Sequence, residues 1–140
     1  MNTQDKANSL TPEMRRKVTA IIKDLQGKGW QPKVAEGRRT WEQQKEKVRL
    51  GYSKTMHSKH LVGDAADVVD ERYGWGKGGT KLFWLHVGSS AIAHGLRWGG
   101  SFGLNPHEWT ELRTALVKGD FDKAEKLKLG WDTAHIEMVR

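Results

Sequence analysis

The chain has 140 residues and a mass of 15.9 kDa, enough for one domain with a sizeable core. It contains no cysteine, which excludes a disulfide framework and any thiolate metal site, so a metal could be held only by histidine and carboxylate. A formal net charge of +7 and a pI near 9.7 suit anionic partners such as nucleic acid, lipopolysaccharide or teichoic acid, without choosing among them.

No apolar run approaches the roughly 20 residues of a membrane span, and Met1-Asn2-Thr3-Gln4-Asp5 lacks a charged-then-apolar signal layout. Synthesis in a cytoplasm without a secretion signal is the expectation. Residues 1–10 are polar and read as a flexible tail, with one domain over 11–140. Thr11 as N-cap and Pro12 at the first helical position start a helix, and Met14, Val18, Ile21, Ile22 and Leu25 form its apolar stripe. Gly27 and Gly29 end it. Residues 30–36 read as a short strand, and Pro32 puts it at a sheet edge. It leads to Gly37-Arg38-Arg39-Thr40, where Thr40 and Gln43 fit a capping box for a helix over 41–50.

A polar loop with His57 then feeds Ser58-Lys59-His60 and, through Gly63, a β-prone run over 65–69. The stretch 71–80 is glycine-rich around Trp75 but lacks the order of a phosphate loop, and reads as a flap beside a cleft. A second core helix is expected over 81–94, with His86 and His94 as ordinary surface histidines, and Leu96-Arg97-Trp98 as a short strand. Asn105 and Glu108 cap another helix, and Phe121, Ala124 and Leu127 mark a shorter one. These two helices read as an insertion before a final alternating strand, in which His135, Glu137 and Val139 share one face and Ala134, Ile136 and Met138 the other. No internal repeat or linker divides the chain.

The chemistry gathers at two of these segments. His60 stands at the mouth of the 65–69 run and Asp67 lies within it. An unpaired buried carboxylate costs several kcal/mol, so Asp67 needs a partner. A divalent metal would satisfy it together with His60; backbone amides capping Asp67, with His60 exposed, would serve as well. His57 lies three residues before His60 and could ligate equally on spacing alone. His135 supplies a third ligand, and three protein ligands with one open position is the pattern of catalytic zinc. Asp132, three residues earlier, would be the acid/base beside that position. Glu137 reads either as a partner that orients a ligand or as an exposed strand carboxylate.

The patterns Ser-x-His-x-x-Gly-x-Ala-x-Asp (Ser58 to Asp67) and Asp-x-x-His-x-Glu (Asp132 to Glu137) resemble those of the zinc D-alanyl-D-alanine peptidases of the VanX/VanY type. The nearest likeness is to phage endolysins of that family that are L-alanyl-D-glutamate endopeptidases. Gly37-x-Arg39-Thr40 followed by Gln43 and Gln44, and Trp98-Gly99-Gly100, match two further family elements in family order. The resemblance implies an α+β fold, with a small, mostly antiparallel sheet carrying the metal site and helices against its other face.

It also implies one Zn²⁺ on His60, Asp67 and His135, with His57 left on the rim. Arg39 then matches the arginine that binds substrate and stabilises charge on the scissile carbonyl, Arg38 the variable position, and Ser58 a serine near the substrate. The implied activity is hydrolysis of peptidoglycan stem peptides in the periplasm by a monomer, with L-alanyl-D-glutamate the expected bond. Three other readings compete. One is a D-alanyl-D-alanine carboxypeptidase or dipeptidase. The second is a non-catalytic zinc-holding wall-binding module, against which Asp132 stands as a plausible base. The third is a basic nucleic-acid-binding domain, disfavoured because the tryptophans fall mostly at core or motif positions.

Overall fold

The computed structural model describes residues 2–53, 55–56, 58–75 and 81–139. The expectations for His57 as a rim residue and for 76–80 as part of a flap concern residues outside that set. Four strands form one sheet in the order β1-β2-β4-β3: β1 is Pro32–Glu36, β2 Ala65–Asp70, β3 Arg97–Trp98 and β4 His135–Glu137. Every pairing among the described residues is antiparallel. Pro32 does lie in an edge strand, where a missing N–H costs no ladder bond.

The helices are α1 (Thr3–Asn8), α2 (Pro12–Gly27), α3 (Trp41–Arg49), α4 (Lys81–Ala93), α5 (Pro106–Lys118) and α6 (Phe121–Glu125). The caps read from the sequence are present. Thr11 Oγ1 accepts from Met14 N–H at the start of α2, and both capping boxes, Thr40 with Gln43 and Asn105 with Glu108, close.

Three expectations are corrected. The amino terminus is not a flexible tail: Asn2 caps α1, Ala7 and Leu10 are buried, and Lys6 Nζ donates to Ala35 O at 2.9 Å. Polar composition hid this helix because two apolar side chains suffice to dock it beside β1. Nor are α5 and α6 an outlying insertion, since Leu112, Ala115, Leu116 and Ala124 join the main hydrophobic cluster. They contact α4, which is therefore buried on more than one stripe, with Phe83, Trp84, Leu85, Val87, Gly88, Ser90 and Ala91 all inside. His86 is consequently no plain surface histidine. Its ring stacks on Phe121 with centroids 4.2 Å apart, and burial lowers its pKa. His94 Nε2–H donates to Asp24 Oδ2 at 3.0 Å, the oxygen that also accepts from Ser90 Oγ, tying α4 to α2.

Two close approaches explain glycines that the site depends on. A methyl at Gly37 would fall 2.4 Å from Lys6 O and 2.7 Å from Ser9 Oγ, so only glycine lets α1 lie against the chain there. A methyl at Gly99 would fall 2.1 Å from Asp132 O, where the segment entering β4 crosses it. Trp98, fully buried, donates from Nε1 to Thr133 O at 2.7 Å and fixes the same crossing from the other side.

The Gly37 contact yields a stability prediction. Gly37→Ala forces α1 and the 37–39 turn apart and should cost about 1–3 kcal/mol, the usual range for overpacking. Thermal unfolding measures it; an unchanged midpoint would mean α1 does not press on this turn.

Candidate active site

Each of three buried residues, His60, Asp67 and His135, arrives on a different element. His60 sits on a 3₁₀ turn, Lys59–Val62, which Ser58 opens by accepting the His60 N–H on its Oγ at 3.2 Å. Gly63 closes that turn at φ 77°, in the left-handed region that glycine adopts without strain. Asp67 lies in β2 and His135 in β4, and the register pairs them directly across the ladder. That register also turns Ala66 and Ile136 into the core, so a slip of one residue would bury the site residues among apolar side chains.

One ligating atom from each of the three lies within 4.8 Å of the others, a group that could hold a metal ion. Asp67 Oδ2 is 3.6 Å from His60 Nε2, and Asp67 Oδ1 is 3.4 Å from His135 Nδ1. Outer contacts orient both rings. His60 Nδ1–H donates to Gly37 O at 2.7 Å, leaving the Nε2 lone pair facing inward. His135 Nε2–H donates to Glu137 Oε1 at 2.8 Å, leaving Nδ1 facing Asp67. Glu137 is itself buried, with Lys59 Nζ 3.2 Å from its other oxygen. Burial works to raise the Glu137 pKa, but His135 and Lys59 outweigh it and keep the carboxyl below its usual range.

Whether this arrangement fits a cation can be decided from the buried atoms. Burial would raise the Asp67 carboxyl, yet hydrogen bonds and charge from His135 and His60 hold it well below the usual carboxylate range. Burial likewise opposes charge on His135, but Asp67 and Glu137 on either side bring its pKa up to about 9. A proton on His135 would face Asp67 Oδ1 at 3.4 Å, an oxygen that is buried without a hydrogen-bond partner among the described residues. It would still leave His60 Nε2, which is buried without a hydrogen-bond partner among the described residues. A single cation at the meeting point satisfies all three atoms at once. Two imidazoles and a carboxylate are the donor set of zinc and similar ions.

Asp132 and Arg39 flank the group. Asp132 N–H donates to Gly99 O at 3.2 Å, and Asp132 O accepts from His135 N–H at 3.0 Å. This tight turn brings its carboxylate to 3.8 Å from His135 Nδ1. Burial raises the Asp132 pKa, and the Asp67 charge adds to the rise against the pull of His135, His60 and Arg39. Arg39 is clamped by Glu36, which takes Nε and Nη2, the latter at 3.0 Å. Its Nη1 donates to Gln44 Oε1 at 2.9 Å and lies 3.5 Å from Ser58 Oγ, while Nη2 is 3.8 Å from Asp67 Oδ2. Arg38 is exposed and bonds only to Leu61 O among the contacts of its side chain described here.

Sequence reasoning missed Glu36 and left Gln44 without a role. A bulge between Val34 and Glu36 sets Glu36 opposite Asp67, an irregularity with no sequence signature. Gln44 is wholly buried, and its amide nitrogen donates to Ser53 Oγ and Thr55 O at 2.9 and 2.6 Å. Its place on the inner face of α3 was the available clue. Arg39, Ser58 and Asp132 open on a cavity of about 520 Å³, whose walls also include Tyr52, Phe102 and Trp131.

The family model for phage L-alanyl-D-glutamate peptidase matches residues 1–139. No curated protein gives a match. Solved structures with a similar fold include the Serratia marcescens L-Ala D-Glu endopeptidase ChiX, at TM-score 0.61 and 22% identity, covering 98% of this chain and 86% of that one. VanYB in complex with D-alanine-D-alanine is similar at TM-score 0.54 and 18% identity, covering 94% of this chain and 72% of that one. A variant of the D,D-pentapeptidase VanY in complex with Zn(II) is similar at TM-score 0.54 and 19% identity, covering 94% and 73%. Identities this low establish the shared α+β fold and nothing finer. The family match runs over nearly the whole sequence, and on that ground the chain belongs to the phage L-alanyl-D-glutamate peptidase family.

Proposed function

We propose that the protein is a zinc-dependent peptidoglycan endopeptidase that hydrolyses the bond between L-alanine and D-glutamate in stem peptides, leading to lysis of the bacterial wall. The observation that carries this reading is the convergence of three buried ligating atoms beside a carboxylate of raised pKa and an arginine clamped from behind. His60, Asp67 and His135 would hold one Zn²⁺, and the Zn(II) complex of the VanY variant supports that choice of metal. The active unit is one catalytic domain acting as a monomer on the periplasmic wall, and its +7 charge suits anionic wall or outer-membrane polymers.

Zinc, when bound, supplies Lewis acidity, making water acidic near neutral pH and polarising a carbonyl. The chain's own residues do the rest. Asp132, ionised and hydrogen-bonded to no ligand atom, takes a proton from the attacking water and returns it to the leaving amine of D-glutamate. Arg39 is held by Glu36 at Nε and Nη2 and by Gln44 at Nη1, so substrate meets the remaining Nη protons, where charge develops on the scissile carbonyl or a substrate carboxylate lies. The Ser58 hydroxyl accepts from His60 N–H and keeps its own proton to offer to substrate. Glu137 fixes the His135 ring by holding its Nε2–H. A D,D-carboxypeptidase is the nearest rival. It is favoured by the D-alanine-D-alanine bound in VanYB and disfavoured by a second cavity that meets the first at Asp132, giving space on both sides of an internal bond.

Purified protein should carry about one zinc per chain, lose hydrolysis to a chelator and regain it with zinc. Mass spectrometry of fragments released from purified peptidoglycan should show new D-glutamyl amino termini. New D-alanyl termini instead would install the carboxypeptidase, and full activity after verified metal removal would end the zinc mechanism.

Asp132→Asn keeps the shape of the side chain but cannot take a proton. Zinc content and fold should persist while turnover falls roughly 10²–10⁴-fold. Wild-type turnover in this variant would move the base to another group, and loss of zinc would place Asp132 among the ligands.

Arg39→Ala should lower kcat by about 10²–10³, the range for losing an oxyanion donor. Arg38→Ala should stay within a few-fold, and Glu36→Gln should fall between, because it loosens Arg39 without removing it. Equal, small effects at Arg39 and Arg38 would return both to the role of surface charges.

A further inference from the structure

Trp131 stands on a ridge between two cavities. One is the cleft that holds the ligating triad; the other, of about 480 Å³, is walled by Trp75, Trp84, Leu127 and Leu129, and both share Trp131 and Asp132. The second cavity therefore adjoins the cleft at Asp132, the proposed general base. Its lining sets Trp131 and Trp75, 70% and 60% exposed, beside the buried Trp84. Leaving two indoles in water at one groove forgoes the burial that stabilises the others, roughly 25 cal/mol per Å².

The Trp131 backbone is anchored there. Its main-chain N–H donates to Phe102 O at 3.2 Å, Gly130 N–H donates to Gly100 O at 2.6 Å, and a methyl on Gly103 would fall 3.1 Å from the indole Cδ1. Of the groove's two lysines, Lys81 Nζ donates to Glu125 O and Leu127 O at 2.6 and 2.9 Å, and Lys128 is exposed, with its Nζ 3.9 Å from Glu108. The two exposed indoles fit an amphipathic ring with an apolar face better than a carboxylate.

We propose that this second groove binds the saccharide of the wall strand, namely the N-acetylated sugar to which the stem peptide is attached. The inference rests on the peptidase reading of the cleft. In that substrate, one side of the scissile bond is a single L-alanine joined to the sugar, and the other is a peptide bearing several carboxylates. One extended residue spans about 3.5 Å, so the sugar must lie immediately beside the reacting centre. The triad side offers the Arg39 guanidinium to carboxylates; the Trp75–Trp131 side offers aromatic surface to a sugar ring. Asp132, on the boundary of both cavities, then faces the bond between the two halves.

The test uses the full chain and two probes. In the first arm, the disaccharide N-acetylglucosaminyl-N-acetylmuramic acid, without peptide, is titrated while the indole N–H signals are followed by NMR, assigned through Trp75→Phe and Trp131→Phe. Shifts confined to Trp75 and Trp131 are expected; unmoved signals at millimolar disaccharide overturn the proposal. In the second arm, kcat/KM is compared for the disaccharide-tetrapeptide and the free tetrapeptide. Trp75→Ala should reduce the preference for the sugar-bearing substrate about tenfold, the scale of losing an aromatic anchor, with Trp75→Phe restoring most of it. An equal loss on both substrates would mean that the groove holds peptide, which overturns the saccharide assignment and leaves the peptidase standing. If the wild-type chain cleaves neither substrate, the peptidase reading fails, and the indole shifts alone then decide for or against the sugar site.

Discussion

The structure turns on one buried carboxylate. Asp67 sits in the second strand of a small sheet, away from water, with an imidazole on either side. A lone charge there would be strongly destabilising, and the fold answers by aligning β4 so that His135 faces it across the ladder, and by closing a 3₁₀ turn that presents His60. The alternation of the two strands that points Asp67 and His135 to one face points Ala66 and Ile136 into the core. The placement of Asp67 and His135 and the packing of the core are thus set by the same register, and neither can change alone.

Around that centre, backbone contacts do much of the positioning. Gly37 O holds the His60 ring, and the same glycine has no room for a side chain because α1 lies against it. Gly99 admits the crossing of the segment that carries Asp132, and Trp98 anchors the next residue of that segment by its indole N–H. Side chains far from any reacting atom therefore decide where the carboxylate stands. The same economy holds Arg39: Glu36 engages Nε and Nη2 and Gln44 engages Nη1, which fixes the guanidinium in the wall of the cleft.

The cleft is not symmetrical about Asp132. Toward His60 and His135 it is lined by Arg39, Lys59 and Glu137 together with Tyr52 and Phe102; the cavity beyond Trp131 is lined by Trp75, Trp84, Leu127 and Leu129. Helices α5 and α6 matter here, because the chain that leaves α6 supplies Leu127 and Leu129 to the second groove while the helices complete the core under α4. A segment that looks dispensable by composition is thus both packing and wall.

Much of this was legible in the sequence. Helix caps at Thr11, Thr40 and Asn105, the edge strand begun by Pro32, and the alternation around Asp67 and His135 are local properties, written in adjacent residues and read by spacing. The convergence of His60, Asp67 and His135 was reached by resemblance over dispersed motifs, since spacing alone left His57 and backbone capping open. What stayed hidden depends on long-range packing. The helix at residues 3–8 is stabilised by docking beside β1, the burial of His86 by the stacking of Phe121 from α6, and the clamp on Arg39 by a bulge that turns Glu36 toward Asp67. The ridge of Trp131 between two cavities is likewise a property of surfaces brought together from six elements or loops, not of any short stretch. Local sequence thus determined which residues could do chemistry. Which of them meet, and what lies behind each, was decided only when the register of β4 on β2 and the packing of the helices fixed their distances.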